Sequence, residues 1–505
     1  MDESIKSAIV DLKSGDLESS KKKLLNLLKK ELKRFDLSVV LGILGEVYLA
    51  LGDYKNSILY LERSLEIRSD FPEALNTLGL SYKKNKQLYK SIQAFKKAIQ
   101  NKFNYSVAHR NLGLVYRELE QFNDAADSYR LAIKYSDGYS EACNDLANVL
   151  RYQGKIDEAT SLYKDAIRLN KNNTVAYRNL FTLSKVDIKS EYLLSAEKAY
   201  KSLKEEEDLV NIEFALGKAY KDLEIFDKSF TFYKKANKRK YNLLSRKPTN
   251  YDKEFEEIIF LHQQFKSFKK VTSNKELLPI FIIGLPRSGS TLVESILSMN
   301  GDISSLGEVD HLNEAIYSTV LLKTNNKAGA LRKKYIDLAG GTRSFTDKML
   351  FNFKFCGIIL NSFPEARILH TYRNPLDNIF SLFTTYFSNE LEWTFSLDEI
   401  ERYYDFYKKV MEFWERQFPS KIYHLEYDSL VKSPETEIYN LIKFCNLRWD
   451  NKYLSPHNSS RNILTASSYQ ARKPINTSSV GFSKNYENNF FKIKESMIEK
   501  GYKLD

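Results

Sequence analysis

The first half of the chain repeats one apolar pattern every 34 residues. Leu44-Gly45 with Tyr48 recurs as Leu78-Gly79 with Tyr82, and again as Leu112-Gly113 with Tyr116. The register continues at Leu146-Ala147 and Leu180-Phe181, and a 36-residue step reaches Leu216-Gly217 with Tyr220. A second register runs beside it. Ser57, Ser91, Ala125 and Ala159 hold one small-residue position, and Ser64, Ala98, Ala132 and Ala166 hold another. Phe95, Tyr129 and Tyr163 follow the first of these positions, and Ser229, Tyr233 and Ala236 repeat the pattern once more. The pattern predicts two amphipathic helices per unit, joined by turns such as Leu51-Gly52-Asp53-Tyr54. Small residues let the helices approach, and aromatics fill the gaps. Residues 1–37 read as a degenerate capping repeat around Gly15-Asp16, and residues 38–237 as the array.

The pattern then changes. Residues 238–276 are basic at Lys238-Arg239-Lys240 and then charged and helical from Asp252 to Phe268, which predicts a connector. The run Glu205-Glu206-Glu207-Asp208 reads as a solvated helix edge. At 281–297 three β-favouring residues run into Gly-Leu-Pro-Arg-Ser-Gly-Ser-Thr, followed by a helical pattern with Leu292, Ile296 and Leu297 on one face. Two more strand candidates, at 367–372 and 422–427, are separated from it by helical stretches. Strands alternating with helices predict a parallel α/β sheet, whose ligands sit beyond the strand C-termini. Arg287, Arg373 and Tyr427 all fall there. Tyr403-Tyr404, Phe406-Tyr407 and Phe413-Trp414 have helical spacing and read as core.

Composition narrows the classes. At 505 residues two or three domains are expected, and 43% hydrophobic content is enough for sizeable cores. The net charge of +12 points to an anionic partner. The basic residues are spread along the chain without a long basic tail, so a polyanionic small ligand accounts for them better than nucleic acid. Cys143, Cys356 and Cys445 are too far apart for a disulfide framework or a cysteine-rich zinc site, and the six histidines show no metal-ligand spacing. The N-terminus lacks a signal-peptide pattern, and the apolar run at 277–285 is too short to span a membrane. The expectation is a cytoplasmic protein.

The strand–loop–helix at 281–297 is an anion site by construction, because helix N-terminal N–H groups point outward at the positive end of the dipole. Gly284 and Gly289 have the spacing of a nucleotide-triphosphate P-loop, but Ser290 stands where that motif needs lysine, and the cation comes earlier, at Arg287. This weakens a kinase reading.

The array resembles the tetratricopeptide repeat, which implies a superhelix whose concave groove binds peptide or protein. Bracing of the second half, or homo-oligomerisation, are the other roles open to it. In the second half, Pro286-Arg287-Ser288-Gly289-Ser290-Thr291-Leu292 resembles the 5′-phosphosulfate loop of sulfotransferases that use 3′-phosphoadenosine-5′-phosphosulfate (PAPS). Arg373-Asn-Pro375-Leu-Asp377 with Ser381 resembles their 3′-phosphate motif. Gly307-Glu308, Thr346-Asp347-Lys348-Met349 with Asn352-Phe353, Tyr427-Asp428-Ser-Leu430-Val431, and the loop from Thr465 through Ser467, Ser468, Gln470 and Arg472 to Ile475 resemble further blocks of that family. The nearest resemblance is to tyrosylprotein-sulfotransferase-like enzymes, including bacterial forms with N-terminal tetratricopeptide repeats. It covers about residues 277–490. The implied fold is an α superhelical repeat array followed by an α/β P-loop-like domain at 277–505 with a central parallel sheet.

The resemblance implies roles. Arg287 and the amides of Ser288, Gly289, Ser290 and Thr291 would hold the 5′-phosphosulfate. Glu308 would be the general base, with Asp310 and His311 as rivals. Lys348 would stabilise charge on the bridging oxygen. Ser467, with Ser468 as the competing choice, would hydrogen-bond the phosphosulfate. Arg373 and Ser381 would bind the 3′-phosphate, and Tyr427 the same phosphate or the ribose. Bacterial relatives carry an arginine-tryptophan pair where Phe482-Ser483 stand here, and Lys484 is the candidate to supply the missing cation. A sulfuryl group carries less negative charge than a phosphoryl group, so no metal is expected. The expected function is sulfuryl transfer to a hydroxyl of a protein tyrosine, a glycan or a metabolite. The alternative is a non-catalytic scaffold with a nucleotide-sensing sulfotransferase-like domain.

Overall fold

The computed structural model describes residues 3–244, 249–266, 271–387, 389–459, 461–465 and 467–504. Parts of the expected connector (245–248 and 267–270) and Ala466 of the last loop lie outside the described residues. By internal packing the chain divides into Met1–Ala176 and Tyr177–Asp505.

The first unit is built of antiparallel helix pairs: Glu3–Ser14 with Leu17–Leu27, Arg34–Ala50 with Tyr54–Ile67, Pro72–Lys84 with Leu88–Asn101, Ser106–Glu118 with Phe122–Lys134, and Ser140–Tyr152 with Ile156–Leu169. The two sequence registers meet inside each pair. A Cβ added to Gly79 would lie 2.6 Å from the Phe95 ring, and one added to Gly113 would lie 2.7 Å from Tyr129. The aromatic of the second helix therefore packs flat on the glycine of the first, which fixes both residue types. The small polar position closes the contact: Ser57 Oγ donates to the Gly45 carbonyl (2.7 Å) and Ser91 Oγ to that of Gly79 (2.6 Å). Turns are capped locally, as where Asp16 and Asp53 accept from the N–H groups of Ser19 and Asn56.

The second unit opens with helices of the same pattern. Glu206–Asp222 pairs with Phe226–Leu243, and Ser229 Oγ donates to the Gly217 carbonyl (2.8 Å). This pair packs on the α/β part of its own unit. Asn237 Nδ2 donates to the Phe383 carbonyl (2.9 Å), and Phe230 packs against Phe383 and Phe490. The acidic run at 205–208 is exposed or partly so, but it is not purely solvated: Glu206 pairs with Arg239 and Glu207 with Lys240. The connector forms the helix Tyr251–Gln264, whose Tyr251 and Phe255 pack on Phe406 and Phe413.

The sheet has five parallel strands in the order β2-β3-β1-β4-β5: β1 Leu278–Gly284, β2 Ser304–Gly307, β3 Ser344–Asp347, β4 Arg367–Tyr372 and β5 Ile422–Glu426. Alternation along β1 splits the core. Phe281 and Ile283 join Phe345, Ile368 and the aromatic helix Leu397–Gln417 on one face. Ile280 and Ile282 join Leu369, Leu425 and Leu441 on the other. Tyr403, Tyr404, Phe406, Tyr407 and Trp414 are buried, in agreement with the core reading. The all-parallel order puts every strand C-terminus at one edge.

Candidate active site

Three consecutive central strands deliver the site's main groups. Beyond β1 the chain turns through Leu285–Gly289 into the helix Ser290–Leu297. Two positions in this turn require glycine. At Gly284 a Cβ would lie 2.3 Å from the Thr371 carbonyl oxygen, and Gly289 caps the helix at φ +91° with Tyr427 packed against it. Arg287 is itself left-handed at φ +68°, an uncommon conformation for a side-chain-bearing residue. Ser288 Oγ is held by the Leu285 carbonyl (2.7 Å) and Thr371 Oγ1 (2.8 Å), so this serine anchors the loop to β4 and offers a ligand its N–H. Ser290 and Thr291 are buried, and Thr291 Oγ1 lies 3.2 Å from Thr465 Oγ1.

Arg287 joins segments that are distant in sequence. Its Nε donates to Ser381 Oγ (3.0 Å) and its Nη1 to Ser467 Oγ (2.5 Å). Burial, then the nearby Arg373, push its guanidinium down to about 10. Ser468 is buried and turned into its own loop, where its N–H donates to the Thr465 carbonyl, so Ser467 is the serine that meets the arginine.

Arg373 follows β4 and is 6% exposed. Its Nη2 donates to the Ser479 carbonyl (2.8 Å) and Asp377 (3.2 Å), and the guanidinium lies 5.0 Å over the Tyr427 ring. Its Nε is buried without a partner among the described residues, a donor left for a ligand. Tyr427 follows β5 and shares a hydrogen bond with Ser479 Oγ (2.9 Å). Asp377 accepts from the N–H groups of Gly481 and Ser483, which ties the C-terminal loop to this corner.

The third group lies beyond β2 and β3. Lys348 is 1% exposed, and its Nζ donates to Glu308. It also stands 4.0 Å from Glu294. Glu308 is half exposed, so one carboxylate both neutralises a buried ammonium and faces solvent. Asp310 instead accepts from Asn313, and the His311 ring lies beside Tyr335. Of these three residues, Glu308 is the one that meets Lys348. Lys484 stands apart: it is exposed in the turn Phe482–Tyr486 and bonds to none of the other site candidates.

Sequence reasoning passed over Glu294 and gave no role to Asp347, which it named only as part of a block. Glu294, in the loop helix, is 2% exposed and pairs with Arg461 at 2.9 Å, while Arg461 also donates to Ser295. The signal was a lone carboxylate inside an apolar helical face. Asp347 is fully buried, and burial pushes its carboxyl up to about 7 even though Tyr335, the Met349 N–H and Asn352 all donate to it.

The model of the sulfotransferase family matches residues 279–337 and 318–451, and tetratricopeptide-repeat models match 40–71, 72–105, 108–138 and 140–173. The tetratricopeptide-repeat models thus fall on the helical array, and the sulfotransferase-family model falls on the α/β part that follows it in sequence. An uncharacterized protein of Aquifex aeolicus (strain VF5) is 28% identical over 321 residues, 57% of this chain and 41% of that relative. The matched part thus spans less than half of the relative's length. Solved repeat structures are also similar. The pilF protein of Pseudomonas aeruginosa is 17% identical, with 40% of this chain and 90% of that one covered at a TM-score of 0.33. A thermophilic TPR protein of Thermus thermophilus is 17% identical, with 35% and 95% covered at 0.31. Among the described residues no helix is long and apolar enough to cross a membrane.

Proposed function

We propose that the α/β domain transfers a sulfuryl group from PAPS to an acceptor hydroxyl by metal-free in-line displacement, and that a protein tyrosine is the acceptor the repeats favour. PAPS supplies an activated sulfate whose leaving group is adenosine 3′,5′-bisphosphate. The observation that carries this reading is the convergence on Arg287 of Ser381 and Ser467, beside an Arg373 whose buried Nε has no partner among the described residues. A part-buried guanidinium held by two hydroxyls, beside a buried one whose Nε has no partner among the described residues, fits a ligand with two separated anionic groups.

The residues divide the work. Arg287, with the N–H groups of Ser288, Gly289, Ser290 and Thr291, holds the 5′ group, and Ser467 adds a hydroxyl. Arg373 and Ser381 hold the 3′-phosphate, and Tyr427 stacks beneath Arg373. Lys348, buried and unable to leave, presents a fixed positive charge where the leaving oxygen becomes negative. Glu308 is paired to Lys348 yet open to solvent, so it can take the acceptor's proton. The repeats would present a protein acceptor, since such arrays bind peptide along their concave surface.

The test is purified protein with radiolabelled PAPS and a fractionated lysate in the presence of EDTA. Label on macromolecules, surviving base and lost in acid, supports the tyrosine reading. Label only on small molecules makes the acceptor a metabolite. No label, with intact binding of adenosine 3′,5′-bisphosphate, overturns the catalytic reading in favour of a scaffold.

A further inference from the structure

Lys221 has no role in the scheme above. It lies in the last turn of the helix Glu206–Asp222, which belongs to the repeat pattern and not to the α/β fold. Its Nζ stands 4.3 Å from the centre of the Phe482 ring and 5.0 Å from that of Phe380. Both rings sit in the phosphate machinery. Phe380 immediately precedes Ser381, the acceptor of Arg287 Nε. Phe482 lies between Gly481 and Ser483, whose N–H groups donate to Asp377, the carboxylate that also accepts from Arg373.

Among the described residues no carboxylate pairs with this lysine. Its neighbour Asp222 is taken by Lys218 Nζ (2.6 Å) and the Val186 N–H (3.0 Å). Lys221 Nζ makes no hydrogen bond or ion pair with the described residues, only the two ring contacts. Ring faces orient an ammonium but do not neutralise it. The surrounding charges act on it accordingly: burial first, then Lys218, Arg287 and Arg373, push the amine down to about 7 against the pull of Asp222. An ammonium in the field of two arginines, without a counter-ion among the described residues, favours the arrival of an anion.

We propose that Lys221 is the third cation of the donor pocket, reaching from the first helix of the last repeat pair to the 3′-phosphate held by Arg373 and Ser381. The inference rests on the PAPS reading above. It also assigns a role to Phe482: the ring is the surface on which the ammonium rests. A repeat helix thereby contributes to nucleotide recognition.

The experiment is calorimetric titration of the full chain, as Lys221→Met and Lys221→Arg, with adenosine 3′,5′-bisphosphate and with adenosine 5′-monophosphate. Lys221→Met should weaken the bisphosphate about 10- to 100-fold, the scale of a charged hydrogen bond, while shifting the monophosphate by less than about threefold. Lys221→Arg should keep the bisphosphate within about fivefold of the parent. A partly unfolded sample lowers the number of sites and not the ratio of the two constants, so the ratio reads the pocket itself. Unchanged bisphosphate affinity in Lys221→Met, or equal loss of both ligands, overturns the assignment and leaves the PAPS reading standing. A parent protein that binds neither ligand overturns both.

Discussion

Arg287 donates to Ser467 at 2.5 Å across 180 residues of chain, while the same guanidinium donates to Ser381 at 3.0 Å. One planar fork therefore sets the distance between the phosphate loop, the helix after β4 and the C-terminal loop. Lysine could reach one hydroxyl but not both at once. Arg287→Lys should lower kcat/KM roughly 10²–10³-fold, the scale of removing one preorganised donor from a site of developing charge. The melting temperature should fall only slightly, since lysine keeps the charge and can keep one of the two part-buried hydroxyl contacts. Steady-state sulfuryl transfer at saturating acceptor reads the loss, and a variant within about threefold of the parent would show that the fork only braces loops.

Arg373 makes a separate prediction because its Nε is buried and, among the described residues, free. Arg373→Ala should weaken adenosine 3′,5′-bisphosphate by about 1.5–3 kcal/mol. Its other nitrogen holds the Ser479 carbonyl, so part of that loss comes from the loosened C-terminal loop. Arg373→Lys separates the two contributions: it keeps the charge but gives up the fork. Unchanged affinity in Arg373→Ala would place the 3′-phosphate elsewhere.

Glu308 is the carboxylate on Lys348, and Asp310 is not. Glu308→Gln keeps the shape but cannot take a proton, and it should slow turnover roughly 10²–10⁴-fold. Asp310→Asn should stay close to the parent. Single-turnover kinetics with bound PAPS isolate the chemical step. The reverse pattern, with Asp310→Asn slow and Glu308→Gln fast, would transfer the role.

These sites were legible in the sequence to different depths. The repeat was readable because a small residue recurs at a fixed spacing under a large side chain of the paired helix; Gly79 beneath Phe95 is one instance and Gly45 beneath Leu61 another. β1 was readable as a largely apolar run, and β4 and β5 as short β-favouring stretches of mixed apolar, aromatic and polar residues between helical patterns. β2 and β3 were not read as strands. Ser304–Gly307 is a partly exposed edge with one apolar residue, and Ser344–Asp347 is only four residues long, so tertiary pairing and not local pattern makes them strands. Arg287, Ser381 and Ser467 could be brought together through family resemblance. The pairing of Glu294 with Arg461, and the approach of Lys221 to Phe482, depend on long-range packing that no local pattern records.

The close approach of Gly79 and Phe95 predicts a stability effect that a loose helix pair would not show. With a Cβ 2.6 Å from the ring, Gly79→Ala should cost about 1–3 kcal/mol by overpacking, although alanine is the better helix former. Phe95→Leu should relieve part of that cost, so the double variant should be more stable than the sum of the single changes predicts, by at least about 0.5 kcal/mol. Urea unfolding followed by far-ultraviolet circular dichroism reads the helical array. Strict additivity would mean that the ring and the glycine do not touch.

Asp347 makes the pH prediction. Burial, with a further push from Glu294, raises its carboxyl from 3.8 to about 7. Between those values the folded protein keeps a proton that the unfolded chain has released, so folding stability falls as pH rises through this window and levels off above it. Asp347→Asn cannot ionise, which removes this slope. Relative to the parent, the variant should therefore gain stability between pH 5 and pH 8, by on the order of a few kcal/mol at most. Asparagine keeps one oxygen to accept from the Met349 N–H, and its amide NH2 can donate to the Tyr335 hydroxyl in place of the second oxygen, so the local geometry should hold. Urea midpoints of both proteins at the two pH values give the difference directly. A variant that loses the same amount at both would show that Asp347 is already ionised at pH 5, its charge carried by its three donors despite the burial.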